Sequence, residues 1–96
     1  MDILNIKGRA KVVRTKFGFN ASGANNVHLV GDFNNWNINT NPMEKGENGY
    51  FYTELDLDFG KHMYKFLVDN KWNNDPAADE YQYDEIGCEN SVKIVS

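Results

Sequence analysis

Two tryptophans stand where a small domain seldom places them. Trp36 closes the run Gly31-Asp32-Phe33-Asn34-Asn35-Trp36, and Trp72 lies within Asp69-Asn70-Lys71-Trp72-Asn73-Asn74. Both fall at turn-rich ends of expected strands, each beside asparagine. An indole on a polar loop, with amides and a lysine nearby, is a flat apolar plate suited to a flat, half-apolar ligand. Sugar rings are that kind of ligand. The plainer alternative places both indoles in the core, the commoner fate of so large an apolar side chain. The loop setting favours the exposed reading.

Other chemistry finds little support. His28 and His62 are the only histidines, and neither has metal-ligand spacing to the other or to Cys88. Asp75, Asp79, Glu80, Asp84 and Glu85 make an acidic stretch, but without the spacing of a calcium loop it reads as a solvated connection. Glycoside hydrolysis needs two opposed acids across a cleft, and a small sandwich offers no obvious cleft. Cys88 has no positioned histidine to activate it as a nucleophile. No glycine loop suited to cradling phosphate is present. The chain is therefore expected not to be an enzyme by itself, and to need neither metal nor cofactor.

Composition agrees with a small soluble module. The 96 residues suit one domain with one core, with 41% hydrophobic and 25% charged side chains. Residues 1–96 are read as a single domain, with 1–9 as a loose N-terminal extension. Net charge is −4, and basic residues gather only near Lys7–Lys16, so a nucleic-acid partner is not expected. A lone cysteine makes no internal disulfide. Neither a signal peptide nor a membrane-length apolar run is seen. A cytoplasmic location is the default expectation.

The elements that must carry these residues read as strands. Short alternating runs are separated by Gly/Asn/Asp clusters, and no segment sustains helical spacing, which predicts an all-β antiparallel sandwich of about seven strands. Strands are expected near Ala10–Asn20, Val27–Gly31, Tyr50–Asp56, Lys61–Asp69 and Ser91–Ser96, with short ones near Pro42–Met43 and Lys71–Trp72. Asp69-Asn70 is a two-residue hairpin candidate, since both residues tolerate positive φ. Pro76–Gly87 is read as a long acidic connection with room for one helical turn. On Lys61–Asp69, alternation puts His62, Tyr64, Phe66 and Val68 on the core side, and Met63, Lys65 and Leu67 outside. Lys65 thus projects from mid-strand beside the two indoles. On Tyr50–Leu57, Phe51, Thr53, Leu55 and Leu57 form the inner row. Phe17, Phe19, Val27, Leu29, Phe33, Met43, Val92 and Ile94 are expected to complete the core.

These residues together resemble the glycogen-binding domain, the family-48 carbohydrate-binding modules. Such modules occur in the β subunit of AMP-activated protein kinase and at the N-terminus of isoamylases and branching enzymes. The matching stretches are Val27-His28-Leu29-Val30-Gly31-Asp32-Phe33-Asn34-Asn35-Trp36, Pro42-Met43, and Gly60 through Asp69 with Trp72. Asp75-Pro76, Gly87 and Asn90-Ser91-Val92 follow in family order. The resemblance implies an immunoglobulin-like sandwich and a ligand of α-1,4-linked glucan: glycogen, starch, maltooligosaccharide or cyclodextrin. By position it assigns stacking to Trp36 and Trp72, sugar contacts to Lys65 and Asn90, and an apolar contact to Ile86. A polar contact falls on Cys88, where kinase relatives have threonine; a thiol is a weak hydrogen-bond partner. It also implies an alternative role, docking on a kinase or serving as accessory module to a glucan-processing hydrolase or branching enzyme.

Physical chemistry supports the pairing of site and sugar. If each indole shields roughly 60–100 Å² of apolar surface, the gain is about 1.5–2.5 kcal/mol apiece. Hydrogen bonds from Lys65 and Asn90 add about 1 kcal/mol each. Set against the cost of association, the balance predicts weak binding, on the order of tens of micromolar to millimolar. Weak sites suffice when a polymer offers many copies.

Overall fold

A computed structural model describes residues 11–96. The expected extension over residues 1–9 and the first residue of the expected strand at Ala10 lie outside them. Two antiparallel sheets face each other across an aromatic core. Nine strands occur among the described residues: β1 Val12–Asn20, β2 Val27–Gly31, β3 Asn41–Pro42, β4 Glu44–Lys45, β5 Tyr50–Asp58, β6 Gly60–Val68, β7 Lys71–Asn73, β8 Glu80–Tyr83 and β9 Glu89–Val95. One sheet runs β3-β2-β6-β9-β8 with β7 also on β6, and the other runs β1-β5-β4. The expected all-β sandwich is therefore what the chain forms.

β6 organises the larger sheet. Its second half pairs with β2, from Val27↔Val68 to Gly31↔Tyr64. Its first half pairs with β9, from Gly60↔Val95 to Tyr64↔Ser91, and β7 folds back on its last three residues. Chain reversal at Asp69-Asn70 has φ of 46° and 69°, the positive pair that a tight hairpin demands. The Asp69 carboxylate then accepts from the Asn25 and Asn26 backbone N–H groups at 3.1 and 2.8 Å, pinning the hairpin to the β1–β2 loop.

The core obeys the expected alternation on β5 and β6. Phe17, Val27, Leu29, Met43, Phe51, Leu57, Tyr64, Phe66 and Val95 are buried together, and Phe19 and Phe33 pack against them. Phe17 meets Tyr64 edge-on with ring centroids 4.9 Å apart. Burial of side chains this large contributes about 1.5–3 kcal/mol apiece. Met43, where one short strand was expected, lies between β3 in one sheet and β4 in the other. Its backbone N–H donates to the Val27 carbonyl at 2.8 Å, so the chain changes sheets across a buried methionine.

Three expectations fail here. Ile94 is 42% exposed; its neighbour Lys93 takes the inward position, with Nζ 5.1 Å from the centre of the Phe17 ring. Val92 is buried, but stands opposite Met63, on the outer face. The acidic connection Pro76–Gly87 holds a strand, β8, rather than a helical turn, and Asp75, just before it, is buried. Tyr64 donates to Asp75 Oδ2 at 2.6 Å, the Asp75 N–H donates to Ser91 Oγ at 2.8 Å, and the Tyr81 hydroxyl donates to the Asp75 carbonyl. This web anchors β8 beside β9.

Candidate functional site

The outer face of the large sheet has its own small apolar floor. Val30, Leu67 and Val92 are buried yet belong to no part of the inter-sheet core. Register explains why: Val30 lies opposite Lys65, Leu67 two residues on shares its face, and Val92 lies opposite Met63. Above this floor five of the six sequence-predicted residues converge, all but Ile86. Trp36, Lys65, Trp72, Asp84, Cys88 and Asn90 line one shallow groove of about 260 Å³, below the 300–1,000 Å³ usual for enclosed small-molecule sites.

Each indole is placed by a different device. Trp72 lies opposite Leu67 on β7, one step past the hairpin, and is 52% exposed. Trp36 is 40% exposed and follows a 3-10 turn over Asp32–Asn34. That turn consumes its own polar side chains. Asp32 Oδ2 accepts from the Met63 N–H at 2.9 Å, and its Oδ1 pairs with His62 Nδ1 at 3.4 Å. Asn34 Oδ1 accepts from the Gly31 N–H at 3.1 Å, while its Nδ2 donates to the Leu29 carbonyl and to Asn41 Oδ1. Asn34 is therefore committed to the scaffold. Asn35 and Trp36 then both take φ of 57°. For a bulky residue this backbone costs on the order of 1–3 kcal/mol and persists only where surroundings impose it. Such strain concentrates at functional positions.

Lys65 and Asn90 come from neighbouring strands. Since Ser91 pairs with Tyr64, Asn90 is one step further along the same register, beside Lys65. The Lys65 ammonium has no hydrogen bond or ion pair among the described residues. Asn90 is only 5% exposed, so it offers a ligand little more than the tip of its amide. Ile86 does not line the groove and is 85% exposed, projecting from the loop at its rim.

Sequence reasoning missed Asp84. Its Oδ1 accepts from the Ile86 and Cys88 N–H groups at 3.1 and 2.9 Å, and its N–H donates to the Cys88 carbonyl at 2.9 Å. Gly87, at φ 88°, completes the turn. The Cys88 N–H bond, helped by Asn90, the Ile86 N–H and the Lys65 charge, holds the Asp84 carboxyl below its ordinary pKa. Asp and Gly three residues apart were a legible turn signal; the carboxylate's arrival in the groove was not. His28, His62 and the remaining acids stay outside the groove. Among the described residues no cluster of three or more His, Cys, Asp or Glu is arranged to hold a metal. No described helix is long and apolar enough to cross a membrane.

Fold and groove define a class: a β-sandwich recognition module with two exposed indoles on one sheet face and the Lys65 ammonium in the groove with them. The chain belongs to the AMP-activated protein kinase glycogen-recognition family, whose model, described as the glycogen recognition site of that kinase, matches residues 13–96. It is 40% identical over 74 residues to 5'-AMP-activated protein kinase subunit beta-1 of Sus scrofa, which covers 77% of this chain and 57% of the relative. To the beta-1 subunit of Bos taurus it is 36% identical over 89 residues, covering 93% of this chain and 31% of the relative. To the beta-2 subunit of Mus musculus it is 42% identical over 57 residues, covering 59% and 20%. The chain thus spans 57% or less of the length of these relatives.

Proposed function

We propose that this chain is a non-catalytic module that binds α-1,4-glucan, with Trp36 and Trp72 stacking on successive glucosyl units and Lys65 and Asn90 bonding their hydroxyls. The observation that carries this reading is the meeting of both indoles, Lys65, Cys88 and Asn90 in one groove, from four separate segments of the chain. Indole faces cover the C–H patches of a pyranose, and the ammonium answers its hydroxyl rim. Ile86, exposed at the rim, supplies an apolar contact to a curved glucan, and Cys88 a weaker one than a hydroxyl would. A shallow, open groove suits a polymer that passes through rather than a molecule enclosed. Family membership supports glycogen as the ligand; starch, maltooligosaccharide and cyclodextrin join the proposal because they share its α-1,4 linkage.

Retention on immobilised amylose, or titration with β-cyclodextrin, tests this. The native chain is expected to bind, and Trp36→Ala and Trp72→Ala each to lose most of the affinity. Equal binding by all three proteins, or none by any, rejects the site.

A second reading follows from the relatives themselves, which are named as kinase subunits: the module docks on a kinase, or on a glucan-processing enzyme. Pulldown of a stoichiometric partner that survives an excess of cyclodextrin would favour it. The two readings are compatible, because docking leaves the tryptophan face free if it uses the smaller sheet.

A further inference from the structure

Asp84 brings a negative charge into a groove whose other charged lining residue is Lys65. Its Oδ1 is filled by the two loop N–H groups of Ile86 and Cys88. Its Oδ2 receives only one long hydrogen bond among the described residues, from Asn90 Nδ2 at 3.4 Å. A carboxylate oxygen accommodates about two donors, so Oδ2 is under-filled at the groove wall.

Asn90 shows the matching imbalance. Its Nδ2 faces two acceptors, Asp84 Oδ2 and the Cys88 carbonyl at 3.5 Å. Because both neighbours are acceptors, the network itself decides which end of the amide is nitrogen. Its Oδ1 makes no hydrogen bond among the described residues, although the residue is buried to its tip. Asn90 lines the groove, so a ligand donor there would give this acceptor the partner it lacks.

We infer that Asp84 is itself a ligand contact, accepting a hydrogen bond from a sugar hydroxyl while holding Asn90 so that the amide oxygen serves as a second acceptor. This rests on the glucan reading and sharpens it. Lys65 supplies the donor in the groove, and Asp84 with Asn90 supplies the acceptors. The ligand must then be a neutral polyol that donates from at least one hydroxyl. Uronate or sulfated chains meet a carboxylate that repels them.

The test compares β-cyclodextrin with its fully O-methylated form by titration calorimetry. Methylation keeps the ether oxygens that accept from Lys65 and removes every hydroxyl donor. The native chain is expected to prefer the unmethylated ring at least tenfold. Asp84→Asn should narrow that preference at least threefold, whereas Lys65→Met should weaken both rings alike. Asp84→Ser, which keeps an oxygen for the loop N–H groups, replaces the Asn variant should that one fail to fold by thermal melting. A purely structural Asp84 would lower both affinities together and leave the preference intact, which overturns the inference while the tryptophan site stands. Binding of neither ring by the native chain overturns both.

Discussion

The Trp36 N–H donates to the carbonyl of Gly31 at 2.9 Å, and this closure holds a tryptophan backbone at φ 57°. The turn therefore trades local comfort for the direction of one side chain. Trp36→Ala and Trp36→Gly are both expected to lose cyclodextrin binding by about 10- to 70-fold, the equivalent of about 1.5–2.5 kcal/mol. They should differ in stability. Glycine adopts positive φ without penalty, so Trp36→Gly should be more stable than Trp36→Ala by about 1 kcal/mol in urea unfolding. Reversal of that order would mean the left-handed turn does not persist once the indole is gone.

Gly31 is held by space rather than by its dihedrals. A Cβ there would meet the Met63 carbonyl oxygen at 2.6 Å and the Phe33 ring at the same distance. The ring can rotate, but the carbonyl belongs to the middle of β6. Gly31→Ala is expected to cost about 1–3 kcal/mol, as overpacking does. It should also weaken glucan binding, since the acceptor for the Trp36 N–H must shift. Unchanged unfolding midpoint and unchanged affinity would contradict this.

How much of this was legible beforehand varied with the kind of signal. Alternation on β6 assigned Tyr64 and Phe66 inward and Lys65 outward because one face of that strand is deeply buried. The Asp69-Asn70 hairpin was legible because two-residue turns demand special backbone. β8 was not legible: it is an edge strand paired only with β9, and none of its residues is buried, so burial wrote no apolar pattern into it. Ile94 was misplaced because the β9 register sets Lys93, not Ile94, opposite His62, with its ammonium over Phe17. The two indoles were visible as residues out of place. Asp84 was hidden among other acids, because its role comes from the loop that carries it back over β9.

Tyr64 and Asp75 form the buried polar pair that holds the β7–β8 connection. Burial first, and then the bond to Asp75, pushes the Tyr64 hydroxyl well above its usual pKa. An unfolded tyrosine ionises near pH 10. A group with its folded pKa raised gives stability that is complete below that pH and is lost as pH rises beyond it. Tyr64→Phe should therefore cost about 1.5–3 kcal/mol at neutral pH, by stranding a buried carboxylate. Between pH 10 and 12 the variant should lose less stability per pH unit than the native chain. Parallel stability curves in urea over that range would refute the assignment.

Cys88 offers a direct report on where the ligand lies, being the only cysteine and exposed with a free thiol. Its side chain lines the groove with both tryptophans, so a bound ring must shield it from reagents in solution. Alkylation by a maleimide is expected to slow at least fivefold when β-cyclodextrin saturates the chain. Trp72→Ala should remove that protection without changing the rate in the absence of sugar, which separates ligand shielding from any change in the thiol itself. The reverse experiment uses the same geometry: a bulky adduct on Cys88 fills the groove, so labelled protein should lose retention on amylose at least tenfold. Labelling that proceeds equally fast with and without sugar, under conditions where calorimetry shows the sugar bound, would place the ligand on another face of the sandwich.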